Sequence, residues 1–190
     1  MNDTIQLDLG GGSRLEVPAR IALDALLERL SSTPSRLSRP ALIGATLPGQ
    51  GGIYAGDILG DDGTVYGLVV AEDDLQGTYR WGPDECEIQA SSWDGLVNTN
   101  ALLRRSRNHP AAHAAKAYSA DGHADFYLPA KRELQIIAAN LPHLFQPKSY
   151  WTSTPYGSDG AWAVNFEYGD VNYWSRCNEF RVRPVRRFTY

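Results

Sequence analysis

The stretch from Tyr150 to Arg187 constrains the fold more than any other part of the chain. Aromatic residues recur through it (Tyr150, Trp151, Tyr156, Trp162, Phe166, Tyr168, Tyr173, Trp174, Phe180), apolar and polar positions alternate, and Gly-containing turns interrupt it. A period of two belongs to a strand whose side chains point to opposite faces, so the run predicts an antiparallel hairpin. Trp162, Val164 and Phe166 fall on one face, and Ala163, Asn165 and Glu167 on the other. Gly169 and Asp170 make the turn, and the returning strand carries Val171, Tyr173 and Ser175. A final strand is expected to carry Phe180, Val182 and Val185 between Arg181, Arg183 and Arg186. Trp151, Trp162 and Phe166 are the expected core of this hairpin; its other face is presented.

A chain of 190 residues suits one main domain with a small appendage. No apolar run approaches the ~20 residues needed to span a bilayer, so membrane insertion is not expected. A net charge of −4 gives no general electrostatic reason to bind nucleic acid. Five Trp and ten Tyr against one Met suit a recognition surface, where rigid amphipathic rings supply contact area at little entropic cost. The N-terminus shows no basic region followed by an apolar one, so no secretory leader is expected. Cys86 and Cys177 are too few for a disulfide scaffold, and their spacing does not say whether they pair.

Ile5, Leu7 and Leu9, then Gly10 to Gly12, then Leu15 and Val17 read as a short hairpin. Pro18 opens an amphipathic helix with Ala22, Leu23, Leu26, Leu27 and Leu30 on one face; that stripe packs on the chain's own domain or against copies of itself. Ser31 to Pro40 is rich in Ser, Pro and Arg and reads as a linker. The expected division is therefore residues 1–40, an attachment or oligomerisation module with its linker, and residues 41–190, the binding domain. Ile53–Ile58 and Val65–Ala71 read as paired strands, and the loop Glu72–Glu85 holds Tyr79 and Trp81 either over the core or in solvent. A helical period runs from Asp94 to Ala117 and is divided by Pro110. A strand fragment, Phe126–Leu128, leads into Pro129 and a helix from Ala130 to Asn140.

Several residues invite chemical readings. His109 and His113 lie four apart and His123 follows, but without the intervening Glu of a hydrolytic zinc motif they read as polar surface histidines. Asp94, Asn98, Asp121 and Asp125 are the pieces available for calcium, and they form no recognisable loop. Thr152, Ser153 and Thr154 lack a nucleophile elbow and an assignable base, so they are expected to satisfy buried backbone groups. Asn98 and Thr99 read as capping residues at a helix start. Arg181, Arg183, Arg186 and Arg187 either hold an acidic ligand or form a solvated strand face or a salt-bridge surface between subunits.

Five motifs in order, WDGLVNT (93–99), DFYLPAKRELQII (125–137), YWTST (150–154), AWAVNFEYG (161–169) and VRPVR (182–186), resemble the Lcl C-terminal domain family over about Gly51 to Phe188. The family is a branch of the C-type-lectin-like fold found in bacterial adhesins and prophage proteins. The resemblance implies an α+β fold, a small twisted antiparallel sheet flanked by helices, whose last hairpin bears the ligand surface. It is also similar to retroelement-diversified receptor-binding proteins, in which outward positions of that hairpin vary. Here those positions are Tyr156, Asn165, Glu167, Tyr168, Asp170, Asn172, Tyr173, Trp174, Arg176, Asn178 and Glu179.

The resemblance implies a phage-tail receptor-binding protein, made in the bacterial cytoplasm and carried on the virion, that recognises a glycan or protein on the host cell surface. It is expected to be a homo-oligomer, with a trimer favoured, joined to other tail proteins through its N-terminal module and needing no cofactor or metal. The alternatives are a structural tail subunit and an enzyme of the formylglycine-generating branch of the same superfold. The enzyme needs reactive thiols and a metal pocket, and the surroundings of Cys86 and Cys177 show nothing that would lower a thiol pKa. A non-enzymatic role is expected.

Overall fold

The computed structural model describes residues 4–8, 14–31, 42–83, 88–105 and 108–190. Two compact units divide the chain, Met1–Ser38 and Arg39–Tyr190. In the first, β1 (Thr4–Asp8) and β2 (Arg14–Pro18) form an antiparallel hairpin, and α1 (Ala19–Ser31) follows Pro18 directly. Pro18 suits that junction because it lacks the N–H that a helix start would leave unbonded. Ile21, Leu23 and Leu27 of α1 are exposed. Most of the expected linker, residues 32–40, lies outside the described residues, as does Cys86.

Among the described residues, the second unit holds three antiparallel sheets and three α-helices. β4 (Gly52–Leu59) and β5 (Val65–Val70) are the centre of a four-stranded sheet, with β3 (Thr46–Leu47) and the C-terminal β11 (Val185–Phe188) at its edges. A bulge between Tyr54 and Gly56 bends β4. β6 (Tyr79–Arg80) pairs with β10 (Glu179–Phe180), and β7 (Ser149–Tyr156), β8 (Gly160–Asn165) and β9 (Asp170–Ser175) form the hairpin sheet. The helices are α2 (Gly95–Leu103), α3 (Pro110–Ala117) and α4 (Lys131–Asn140), with a 3-10 turn at Pro142–Leu144. The expected α+β architecture is present, and Pro110 does divide two helices.

Two expectations about strands change. Phe126–Leu128 contributes a single bridge, Tyr127 to Val185, rather than a strand. The expected last strand is two strands in different sheets, β10 and β11, because after Arg181, still bridged to Tyr150 of the hairpin sheet, residues 182–184 lead away to β5.

The core has two main parts, and β8 touches both. Val164 joins Tyr150, Tyr127, Leu134, Ile137, Val70 and Val185, while Ala161 and Ala163 join Trp81, Trp151, Leu102, Leu128 and Val182. The hairpin sheet is therefore covered on both faces over part of its area, not on one face throughout. Small Ala side chains are what allow Trp81 and Trp151 to approach. The two indoles exchange hydrogen bonds with the opposing backbone, Trp81 Nε1 donating to Thr152 O and Trp151 Nε1 to Tyr79 O, both at 2.8 Å. The loop carrying Tyr79 and Trp81 thus caps the core.

Candidate functional site

The register of the hairpin sheet determines which of its residues share a surface. β8 pairs with β9 so that Trp162 lies opposite Tyr173, Ala163 opposite Asn172 and Ala161 opposite Trp174; β7 places Tyr156 opposite Gly160. Alternation then gives one face Tyr156, Trp162 and Tyr173, and the other Asn165, Asp170, Asn172 and Trp174.

The first face is an aromatic cluster. Tyr156 and Tyr173 stack with ring centres 3.9 Å apart, and Trp162 meets them edge-on at 5.2 and 6.0 Å. Lys131, in the first turn of α4, holds its ammonium 3.9 Å from the Trp162 ring centre. Tyr156 and Tyr173 are 42% and 49% exposed, and Trp162 is half-buried beneath them. Tyr168, in the β8–β9 turn, is 76% exposed. That turn is built from backbone: Gly169 takes φ +74°, where a side chain would be strained, and donates to Asn165 O, while Asn165 Oδ1 accepts from Glu167 N.

Beside the second face lies a cleft of about 350 Å³. Lys148, Ser149, Asn165 and Glu167 come from the β7 and β8 ends, and Thr78, Glu179, Phe180 and Arg181 from β10 and its approach to β6. Glu179 is engaged inside it, accepting from Thr78 Oγ1 at 3.3 Å and lying 3.6 Å from Arg80 Nε. Arg181 leans on Asp74 at 3.3 Å.

Residues 73–186, more than half of the chain, match the family described as the Lcl C-terminal domain. The chain belongs to that family. Comparison with curated proteins finds no match. The Lcl C-terminal domain is a ligand-binding type of domain and not a known enzyme family, and the present one has the corresponding α+β, C-type-lectin-like fold.

Within this Lcl C-terminal domain the sequence-predicted surface residues do not form one patch. Tyr156 and Tyr173 stand together, Asn165, Glu167 and Glu179 line the cleft, and Tyr168, Asp170, Asn172 and Asn178 are exposed along the turns and the β9 edge. Trp174 is half-buried, its ring 5.5 Å from Phe180 in the second core. Arg176 is not a surface residue. It is fully buried, with its guanidinium 4.6 Å from the Trp81 ring centre, and it donates to the carbonyls of Gly160, Gly157 and Pro83. Trp162 and Phe166, expected in the core, are only half-buried. Phe166 stacks on Phe145 at 3.9 Å.

The other polar residues also have structural partners. His109 is buried rather than on the surface: Nδ1 lies 3.3 Å from Trp81 O, and burial lowers its pKa. It packs so close to the backbone that a Cβ on Gly82 would sit 2.2 Å from Nδ1. Among the described residues no group of three or more His, Cys, Asp and Glu is arranged for a metal. Asp94, not Asn98 or Thr99, caps α2 by accepting from Val97 N. Asn98 instead clamps Ser91 through N–H and C=O, and Thr99 Oγ1 does the same for Leu128. Thr152 Oγ1 donates to Trp162 O and Thr154 Oγ1 to Ser91 O, the backbone-satisfying role expected of them.

Arg183, Arg186 and Arg187 are taken up by internal partners rather than forming a solvated face. Arg183 is buried, pairs with Asp74 at 3.0 Å and donates to Leu144 O and Glu72 O. Arg186, also buried, forks onto both oxygens of Asp125. Arg187 pairs with Asp94 at 2.9 Å and lies over Tyr66 and Trp93. Cys177 is exposed with a free thiol.

Proposed function

We propose that the protein is a non-enzymatic receptor-binding component of a phage tail that engages a host-surface ligand through the β7–β9 hairpin. The observation that carries this reading is the exposed Tyr156–Tyr173 stack, braced by Trp162 and Lys131 and standing on a sheet whose inner parts are locked into two cores. Exposed aromatics held in place before binding lose little entropy on contact, and such rings supply most of the energy in many recognition surfaces. Membership of a ligand-binding family supports the same reading.

The test is attachment of labelled full-length protein to a panel of bacterial strains. The wild type is expected to bind at least one of them, and a Tyr156→Ala/Tyr173→Ala variant to bind that strain about tenfold more weakly with an unchanged circular dichroism spectrum. Attachment unaffected by the double substitution would point to a structural tail subunit. Absence of attachment to every strain would remove the receptor-binding role.

The N-terminal module fits self-association. Ile21, Leu23 and Leu27 are exposed on α1, and weak single-site contacts gain strength when several copies are held together. In the full-length chain, Leu23→Glu/Leu27→Glu is expected to reduce the light-scattering mass from that of a trimer to that of a monomer. A wild-type monomer, or an unchanged mass in the variant, would overturn this assignment.

A further inference from the structure

The cleft beside the second hairpin face has a chemical character that the aromatic stack lacks. Of its four charged residues, Glu179 is occupied by Thr78 and Arg80, and Arg181 by Asp74. Lys148 and Glu167 make no ion pair among the described residues, with each other or with a neighbour. The cleft therefore offers one available cation and one available carboxylate. Hydroxyl and amide groups from Thr78, Ser149 and Asn165, and the ring of Phe180, line the same cleft. Asn165 spends its Oδ1 on Glu167 N, so its Nδ2 is the end left to donate.

We infer that this cleft is the specificity site of the hairpin and that it takes an amphoteric saccharide unit, one carrying both a carboxylate and an ammonium. This rests on the receptor-binding reading and names its ligand class. Lys148 receives the carboxylate and Glu167 the ammonium. The Thr78, Ser149 and Asn165 groups meet ring hydroxyls, and the Phe180 ring meets the apolar face of the sugar. At about 350 Å³ the cleft lies at the small end of ligand sites, which suits one or two sugar units rather than a folded partner. A ligand with one charge leaves either Lys148 or Glu167 uncompensated as water is displaced, and that asymmetry is the source of discrimination.

The experiment titrates full-length protein with four probes and follows binding by calorimetry and NMR shifts: muramic acid, which carries both charges, N-acetylmuramic acid, glucosamine and glucose. Muramic acid is expected to bind about tenfold more tightly than either singly charged sugar. Lys148→Ala should erase its advantage over glucosamine, and Glu167→Gln its advantage over N-acetylmuramic acid. Equal affinity for all four sugars, binding of none, or a preference that survives both substitutions overturns the inference. So does tighter binding of the dipeptide Lys-Glu, which would mark a peptide site. Failure here is separable from failure of the functional reading. Cell attachment that persists in both variants but is lost in Tyr156→Ala/Tyr173→Ala removes only the cleft, whereas sugar binding without cell attachment removes only the receptor role.

Discussion

Replacing Arg176 by alanine is expected to destabilise the main unit by about 3–5 kcal/mol in urea denaturation, among the largest effects available to a single substitution here. Its Nε donates to Gly160 O at 3.0 Å, Nη2 to Gly157 O at 3.0 Å and Nη1 to Pro83 O at 3.3 Å. Truncation leaves those carbonyls short of partners in a site where Arg176 is fully buried, and each such loss costs about 1–3 kcal/mol. It also removes the cation over Trp81 and opens a cavity beside it. A fall of roughly 10 °C in Tm should accompany the change. Arg176→Lys should recover only part of the loss, because an ammonium is a point donor and cannot span three acceptors that a planar fork reaches at once. A change within 1 kcal/mol for the alanine variant would show that water replaces the guanidinium without penalty.

The place of Arg176 explains why it matters to the surface. Standing just after β9, it ties that end of the strand to the β7–β8 turn, through Gly157 and Gly160, and to the loop after β6, through Pro83. Tyr156, the last residue of β7, and Tyr173, in β9, flank this junction. An arginine that looks like part of the paratope is therefore the bolt behind it, and Arg176→Ala should weaken attachment by loosening Tyr156 and Tyr173 rather than by removing a contact.

The same contrast runs through the chain. Elements whose signal is local were legible: Pro18 and Pro110 start helices, the Leu134–Ile137 stripe buries α4, and alternation places Tyr156 and Tyr173 outward. Several polar residues have partners that come from afar, which local sequence does not reveal. Arg183 meets Asp74, Arg186 meets Asp125 and His109 meets Trp81 O, and the ordinary expectation for an arginine or histidine is the surface. A pattern of period two also cannot tell a strand with one bare face from one covered on both. Ala161 and Ala163, small among aromatics, were the available sign that large indoles needed room there. The cleft was invisible because Thr78 and Phe180 meet only when β6 and β10 pair.

In the sequence Glu133 is one more charge on an amphipathic helix, yet it is fully buried. It accepts from Ala130 N at 2.7 Å, Gly95 N at 3.1 Å and the Tyr127 hydroxyl at 2.8 Å, joining the start of α4 to the start of α2. Burial raises its carboxyl from the ordinary 4.5 to about 8, against the opposing pull of the Ala130 and Tyr127 hydrogen bonds and the nearby Arg187 charge. Between those two values the folded chain holds a proton that the unfolded chain has released. Raising the pH from 4.5 to 8 therefore favours unfolding. The stabilisation is complete below 4.5 and is lost as the pH passes 8, with a total on the order of a few kcal/mol.

Glu133→Gln supplies the neutral form at every pH, with its amide oxygen accepting from the two backbone N–H groups and its amide nitrogen facing the Tyr127 hydroxyl. Denaturation of both proteins at pH 5 and pH 9 isolates the effect, since groups common to the two cancel in the difference. The wild type should lose stability relative to the variant across this interval, until the variant is the more stable of the two at pH 9. Parallel pH dependences would mean that the three donors and Arg187 hold Glu133 ionised throughout, making it a fixed anionic clamp rather than a protonated one.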